Sequence, residues 1–338
     1  MVNTISPQIS LRTGVYHLPA VEQELDQWTA QMFERLVHAD WSVNDSKRWM
    51  AIAEHAPGGW RVAAPRRVLR PTELVEGLLF DGGTVLAGFD FPIGIPAAFG
   101  RKTGFDSFPE ALTEFGRGEW GSFFVVADRP EDISLRRPFY PNRSVLGCRQ
   151  DHLLRALGVD TMDELLRVCE RKTQDRRAAC PIFWTLGANQ VGKAAIDGWQ
   201  SVVRPALLRG ACLWPFAGSL GELSRSSACV LCETYPQEAY SHVGVRFRSG
   251  GSKQNQDDRG SAGAQMLAFA EYHGVVLADD ARSAALEGFG RSKSGEDPFD
   301  ALVGVLSMIA VVDGKRAAGG TSAGHGGAWE GWILGQQA

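Results

Sequence analysis

The sequence has no long hydrophobic run and no strong net charge of either sign. Its longest apolar stretch, residues 301–312, is too short to span a bilayer. The N-terminus lacks the basic and apolar regions of a secretory signal. The formal net charge of −4 over 338 residues gives no global attraction to nucleic acids or acidic membranes, so any phosphate-binding surface must be local. We therefore expect a cytoplasmic protein that does not engage a membrane.

The six cysteines do not form the pattern of a disulfide-stabilised or zinc-binding protein. Only Cys229 and Cys232 are close in sequence, and they lie in an apolar stretch that is typical of a strand. Residues three apart in a strand point to opposite faces, which disfavours both a shared zinc ion and a redox pair. We expect these thiols to be buried in the core.

Motifs of several common enzyme classes are also missing. The sequence has no H-E-x-x-H, no G-x-S-x-G and no G-x-G-x-x-G after a first strand. Residues 187–193 do match G-x-x-x-x-G-K, the phosphate-binding loop, but Ala194 follows where that motif requires serine or threonine. A nucleotide-binding phosphotransferase is therefore an alternative that rests on an incomplete motif.

Acidic residues follow two of the predicted strands in the first part of the chain. Residues 84–89 are apolar and end at Asp90, and Pro92 cannot donate to a sheet ladder. Upstream, residues 36–42, 48–53 and 60–64 read as meandering strands, followed by a helix over 71–79. Asp40 lies near the end of the first of these strands. Open α/β sheets commonly present their chemistry at strand ends.

Two further acidic positions follow a looser segment. Residues 97–227 are rich in glycine, proline and arginine, with a probable helix over 162–171, and they indicate an insertion. After it, residues 228–232 predict a core strand that ends at Glu233. A polar loop over 250–260 and a helix over 263–273 are expected next.

The last strong element is a helix that begins near Asp297 and runs to about residue 312. Asp297 and Asp300 could be N-terminal capping groups, since acidic residues suit a first helical turn. They also share one helix face with Gly304. Because the helix is apolar on nearly every side, we expect it to be buried, so these acids would face an interior cleft and need cations.

Together these acids suggest a metal site. Oxygen-rich sites without histidine suit hard divalent ions, here Mg²⁺ or Mn²⁺, and two such ions can promote an in-line displacement at phosphorus. The expected catalytic residues and metal ligands are Asp40, Asp90, Glu233, Asp297 and Asp300. Lys193, Lys253 and Arg259 are candidate phosphate contacts, although each could be an ordinary solvated charge.

Several landmarks of the sequence resemble domain-of-unknown-function family 429, whose members are regarded as predicted nucleases of the ribonuclease H-like fold. The resemblance covers about residues 36–335, with its motifs in the expected order, and is carried by residues 39–42, 88–96, 189–192, 213–216, 233–236, 288–290, 296–301 and 330–334. Many such proteins have a glycine-rich motif on strand one, where this chain has Trp41 and Asn44.

The resemblance implies an α/β fold, a ribonuclease H-like mixed five-stranded sheet flanked by helices with a large helical and irregular insertion. The expected organisation is an extension with an amphipathic helix (1–35), two halves of the core (36–96 and 228–338) and the insertion between them (97–227). The expected function is metal-dependent hydrolysis of phosphodiesters in a nucleic acid or a small phosphoester. A non-catalytic binding module on the same fold is a further alternative.

Overall fold

The computed structural model describes residues 33–143, 147–173, 177–187, 191–320 and 327–337. Within these ranges eight strands form one mixed sheet: β1 (Arg35–Asp40), β2 (Trp49–Ala56), β3 (Gly59–Val62), β4 (Arg66–Arg67), β5 (Val85–Phe89), β6 (Cys212–Leu213), β7 (Cys229–Glu233) and β8 (Val276–Leu277). Their spatial order is β6-β7-β5-β1-β2-β3-β8, with β4 beside β2. The protein is therefore a mixed α/β structure.

The sheet combines an antiparallel and a parallel part. β2 runs antiparallel to β1, β3 and β4. The strands β1, β5, β7 and β6, adjacent in that order, run parallel to one another, and β8 is parallel to β3. β5 and β7 are buried along their whole length. Strands covered on both faces have continuous apolar sequences, which explains why these segments are uninterrupted runs of small and branched residues.

Helices cover the sheet. They are α1 (Pro71–Phe80), α2 (Ala97–Gly100), α3 (Phe108–Glu114), α4 (Asp151–Leu157), α5 (Gly192–Gly198), α6 (Arg204–Leu207), α7 (Leu220–Ser226), α8 (Pro236–His242), α9 (Gln256–Tyr272), α10 (Asp279–Leu286) and α11 (Glu296–Val312). A single π-helical stretch, Trp199–Val203, links α5 to α6. Residues of the segment 97–227 share one apolar core with β1 and β5.

Helix α11 is the central packing element on one face of the sheet. Every residue from Pro298 to Val312 is buried, and the helix lies on β1 and β2. Its closest approach is at Gly304, where an added Cβ would be 2.3 Å from ring atoms of His38. The His38 side chain is fully buried, and burial lowers its pKa to about 3, so the ring is neutral at physiological pH.

The main elements predicted from sequence are present, with several corrections. The sheet has eight strands rather than five, because the two-residue strands β4, β6 and β8 add to it. Residues 162–171 form two short 3₁₀ turns instead of a helix. Helix α9 begins at Gln256, inside the expected polar loop, because the Asn255 side chain accepts from Asp257 N–H at 2.8 Å and caps it.

Two expectations about domains and membranes can also be compared with the structure. The helix expected within residues 1–35 falls almost entirely outside the described residues. The described residues from 33 onward belong to one compact unit, which includes the described part of the predicted insertion. Within the described ranges no helix is both long and apolar enough to cross a membrane.

Substitution of Gly304 by alanine tests the contact between α11 and β1. The new methyl group would overlap the buried His38 ring, so we expect a loss of about 2 kcal/mol in the free energy of unfolding. Gly221→Ala in α7 is the matched control, since the nearest atom to its Cβ is an Arg225 nitrogen at 3.7 Å. We expect that variant to gain up to about 1 kcal/mol. Urea unfolding followed by circular dichroism measures both, and equal stabilities would contradict the packing described here.

Candidate functional site

The register between β1 and β5 places Asp40 and Asp90 side by side. Ala39 pairs with Phe89 in this parallel ladder, so the next residue on each strand is Asp40 or Asp90. Side chains alternate along a strand, and His38, two residues before Asp40, packs against Gly304 of α11. Asp40 therefore points to the face of the sheet that carries α11, and its neighbour Asp90 points to the same face. The Asp40 and Asp90 carboxyl groups are hydrogen-bonded to each other. The backbone N–H of Trp41 donates to Asp90 Oδ1 at 2.6 Å and fixes its orientation.

The start of α11 brings two more carboxylates to the same place. Asp297 and Asp300 both lie near enough to Asp40 for their charges to raise its pKa. Neither residue is the N-cap of the helix, because that position is held by Gly295. Asp297 does lie in the first turn, where a negative charge suits the helix N-terminus, whereas Asp300 lies beyond that turn. Four of the five predicted acidic residues converge at this site.

Burial and mutual repulsion raise the pKa values of these acids. Burial is the main cause for Asp40, whose pKa lies well above its ordinary value, and the charges of Asp90, Asp300 and Asp297 add to it. Burial likewise raises the pKa of Asp90 to about 7 and that of Asp297 to about 6. The carboxyl groups of such a cluster are partly protonated near neutral pH unless a cation binds in place of the protons.

Asp300 has two partners within the site. Its carboxylate is in an ion pair with the Lys253 ammonium group and accepts from the Tyr240 hydroxyl at 2.5 Å. Burial raises the pKa of Asp300, and Lys253 and Tyr240 partly offset this shift. Burial alone would lower the pKa of Lys253, but Asp300 more than compensates, so the pKa is raised and the ammonium stays charged. Lys253 was among the residues predicted for this site.

Glu233 does not belong to the site, contrary to the expectation from sequence. Its partner in the ladder is Phe89, so it lies on the opposite face of the sheet from Asp90. Both of its carboxylate oxygens accept from the Arg167 guanidinium, at 2.6 and 2.7 Å, and one also accepts from Ile93 N–H at 2.8 Å. Glu233 is thus a structural residue whose two carboxylate oxygens both have partners.

A buried ionic cluster forms around Arg167 and Glu233. The guanidinium of Arg167 is fully buried, and it also donates to the Glu170 carboxylate at 3.0 Å and to the backbone carbonyl of Glu330 at 2.9 Å. The Glu330 carboxylate accepts in turn from the backbone N–H groups of Ala97 and Val168. These bonds join the segment 97–227 to β7 and to the C-terminal segment.

Two of the three residues predicted to contact phosphate, Arg259 and Lys193, have other partners in the structure. Arg259 is fully buried and donates to the backbone carbonyls of Gly288, Gly290 and Lys253, so it supports loops instead of facing a ligand. Lys193 donates to the carbonyl of Asn142 at 2.8 Å. It does not contribute to the pKa shifts of the acidic site.

The apparent phosphate-binding loop lacks the expected structural context. Residues 188–190 lie outside the described part of the chain. The residues before them, 181–187, contribute an isolated bridge between Trp184 and Tyr140 but no strand of the sheet. A phosphate-binding loop of this class follows a core strand directly. The geometry therefore disfavours the nucleotide-binding alternative.

Sequence reasoning missed four residues that surround the acids. Glu296 and Lys47 act on the pKa of Asp297 through their charges, and Tyr240 bonds to Asp300. Thr234 follows Glu233, so the register places it beside Asp90 on the site's face of the sheet. Its hydroxyl is buried and has no hydrogen-bond partner among the described residues. The order of the strands, which no local pattern in the sequence shows, brings Thr234 to this position.

The donor set suits a hard divalent cation, although the side chains are not arranged around one. No group of three or more His, Cys, Asp or Glu side chains in the described ranges is placed to hold a metal ion. Asp40 and Asp90 instead interact with each other, and Asp300 bonds to Lys253. Carboxylate oxygens without histidine are the ligands that Mg²⁺ and Mn²⁺ prefer. The residues therefore fit such an ion in kind.

The comparisons with known proteins leave the function to be argued from this geometry. No family model matches the chain, and no match was found among curated proteins or solved structures. The resemblance to family 429 accordingly stays a prediction.

Asp90→Asn tests the electrostatic description of the site. The pKa of Asp90 is raised from 3.8 to about 7, so its ionised form costs stability as the pH rises between these values. Without divalent ions, we expect the variant to be more stable than the wild type by about 1–3 kcal/mol at pH 8, with the gain disappearing near pH 4. Thermal melts in EDTA across this range measure the difference. A gain that does not change with pH would contradict the described site.

Glu233→Gln should have the opposite effect. The substitution removes one carboxylate from the fully buried Arg167, which leaves its charge incompletely neutralised. We expect a loss of about 3 kcal/mol in the free energy of unfolding. The same melts at neutral pH provide the measurement. If Glu233→Gln stabilised the protein as Asp90→Asn does, Glu233 would belong with the acidic site after all.

Proposed function

We propose that this protein is a metal-dependent phosphodiester hydrolase, a nuclease built on a ribonuclease H-like core. One observation carries the proposal: Asp40 and Asp90 lie side by side at the ends of parallel strands and face Asp297 and Asp300. A structural role does not account for four neighbouring acids, of which Asp40 and Asp300 are buried, because their repulsion destabilises the fold. Such a cost is typical of functional sites.

The sheet supports the ribonuclease H-like part of the proposal. Three antiparallel strands, β3, β2 and β1, continue into parallel β5 and β7. The acids follow β1 and β5 and begin the helix that packs on β1. This arrangement agrees with what the resemblance to family 429 implies about the core.

Asp40 and Asp90 are the residues that would hold a divalent ion, with Asp297 opposite them. When bound, Mg²⁺ or Mn²⁺ would supply a water of lowered pKa and stabilise charge on the leaving oxygen. Asp40 and Asp90 would hold such an ion in their ionised forms. The Trp41 N–H donates to Asp90 Oδ1 and so orients that carboxyl group.

Lys253 provides the positive charge that a phosphate needs at this acidic site. Its side chain is 36% exposed, and the ion pair with Asp300 holds its ammonium group beside the acids. The Tyr240 hydroxyl in turn holds Asp300 in place. A phosphate oxygen that binds Lys253 would lie next to Asp40 and Asp90, where cleavage is proposed.

A non-catalytic binding module is the second candidate. It is favoured by the bonds that Asp300 makes to Lys253 and Tyr240, which already engage both of its carboxylate oxygens. This candidate predicts ligand binding without turnover and tolerance of Asp40→Asn. A nucleotide-binding phosphotransferase would instead require Lys193, and calorimetry with ATP on wild type and Lys193→Ala tests it.

Hydrolysis of bis(p-nitrophenyl) phosphate, with Mn²⁺ or Mg²⁺ added to metal-free protein, tests the proposed activity. We expect turnover that depends on the metal, and a loss of at least about 100-fold in Asp90→Asn because a ligand is removed. Asp257→Asn is the matched control, since Asp257 is exposed on α9 and has no part in the site. That control should retain the wild-type rate.

The wild type and both variants must be purified free of contaminating nucleases, so that the measured rates belong to this protein. Activity that survives in Asp90→Asn would refute the assignment of the catalytic site. Mn²⁺ binding without any turnover would favour the binding module.

A further inference from the structure

A row of three residues extends from the acidic site across the sheet. Asp40 on β1 pairs with Trp49 on β2, and Trp49 pairs with Arg67 on β4. Residues that are directly opposite in antiparallel strands project to the same face. Trp49 and Arg67 therefore share the face of Asp40. Arg67 is two strands away, a backbone separation of about 10 Å from Asp40.

Trp49 and Arg67 form a stacked pair at the surface. The Arg67 guanidinium carbon lies 5.3 Å from the centroid of the Trp49 ring. The tryptophan is half-buried, with its inner side against the core beneath α11, and Arg67 is exposed. A half-buried indole with an exposed guanidinium offers a flat surface on which an unpaired nucleobase can stack.

A second exposed cation is near this pair in the chain. Lys47 is two residues before Trp49 on the loop between β1 and β2, and its positive charge acts on Asp297 and lowers the pKa of that carboxyl group. Neither Lys47 nor Arg67 makes a salt bridge within 4.0 Å in the part of the chain that the structure describes. These two positive charges are therefore free to meet a phosphate.

We propose that Trp49, Arg67 and Lys47 bind a single-stranded polynucleotide next to the acidic site. A base would stack on the Trp49–Arg67 pair, and the cations would contact the backbone phosphates on either side of it. This inference rests on the proposed hydrolase function and names its substrate class. Stacking of this kind requires an unpaired base, so a single strand fits the surface better than a duplex.

The surface also explains how an acidic protein could hold a polyanion. The net charge is −4, and the acidic site repels phosphate when its carboxylates are ionised. Local cations and stacking supply attraction that does not depend on the net charge. A small phosphoester has no flanking nucleotide and would gain nothing from Trp49 or Arg67.

Fluorescence anisotropy of labelled oligothymidylate and oligouridylate, with Ca²⁺ replacing Mg²⁺ to limit cleavage, tests the surface. We expect Trp49→Ala to weaken binding by about 10-fold through loss of stacking. Arg67→Ala should weaken it and reduce the slope of log affinity against log salt concentration by about 1. Arg66→Ala is the matched control, since Arg66 is the other residue of β4, equally exposed and on the opposite face.

Wild-type affinity in Arg66→Ala, together with weaker binding in the other two variants, is the expected result. Equal losses in Arg66→Ala and Arg67→Ala would overturn the proposal, because a diffuse charge effect would then explain binding. Failure of the wild type to bind either oligonucleotide would overturn it as well. Metal-dependent turnover of bis(p-nitrophenyl) phosphate would then leave the hydrolase proposal standing. Conversely, Arg67-dependent binding without any turnover would support the surface and contradict the hydrolase.

Discussion

The interaction between the Asp40 and Asp90 carboxyl groups at the ends of β1 and β5 is the constraint on which the site depends. The parallel register sets it, since Ala39 opposite Phe89 leaves Asp40 opposite Asp90. Two acids in contact are stable only with a shared proton or a cation between them. Helix α11 brings Asp297 and Asp300 to the same site. Gly304 lets this helix pack closely against His38 of β1, and that packing sets the position of the two acids relative to Asp40. The site is thus built by the fold at a cost in stability.

Much of this arrangement follows from sequence. The apolar runs that end at Asp90 and near Asp40 identify strands, and strand ends are where α/β sheets place polar chemistry. The apolar character of 298–312 predicts a buried helix, so acids in its first turn need partners. The sequence identifies Lys253 only as a cation in a polar loop. Its ion pair with Asp300 depends on how that loop folds over α11.

The incorrect predictions concern residues whose roles depend on contacts between segments that are distant in the sequence. Glu233 ends a strand that is buried on both faces, so its sequence shows no alternation from which to assign a face. Arg259 is charged, yet its role is to bond backbone carbonyls of distant loops. Only the pairing of residues across neighbouring strands places Thr234 beside Asp90, and Trp49 and Arg67 in a row with Asp40. Two-residue strands such as β4 are too short to give a periodic signal.

A crystal structure of the protein soaked in Mn²⁺, read by anomalous difference density, tests the central claim most directly. The account predicts a peak bound by carboxylate oxygens of Asp40 and Asp90, with Asp297 facing it. The hydrogen bond between Asp40 and Asp90 would then be replaced by bonds to the ion. Absence of any peak near these residues, with Asp40 and Asp90 still bonded to each other, would contradict the account.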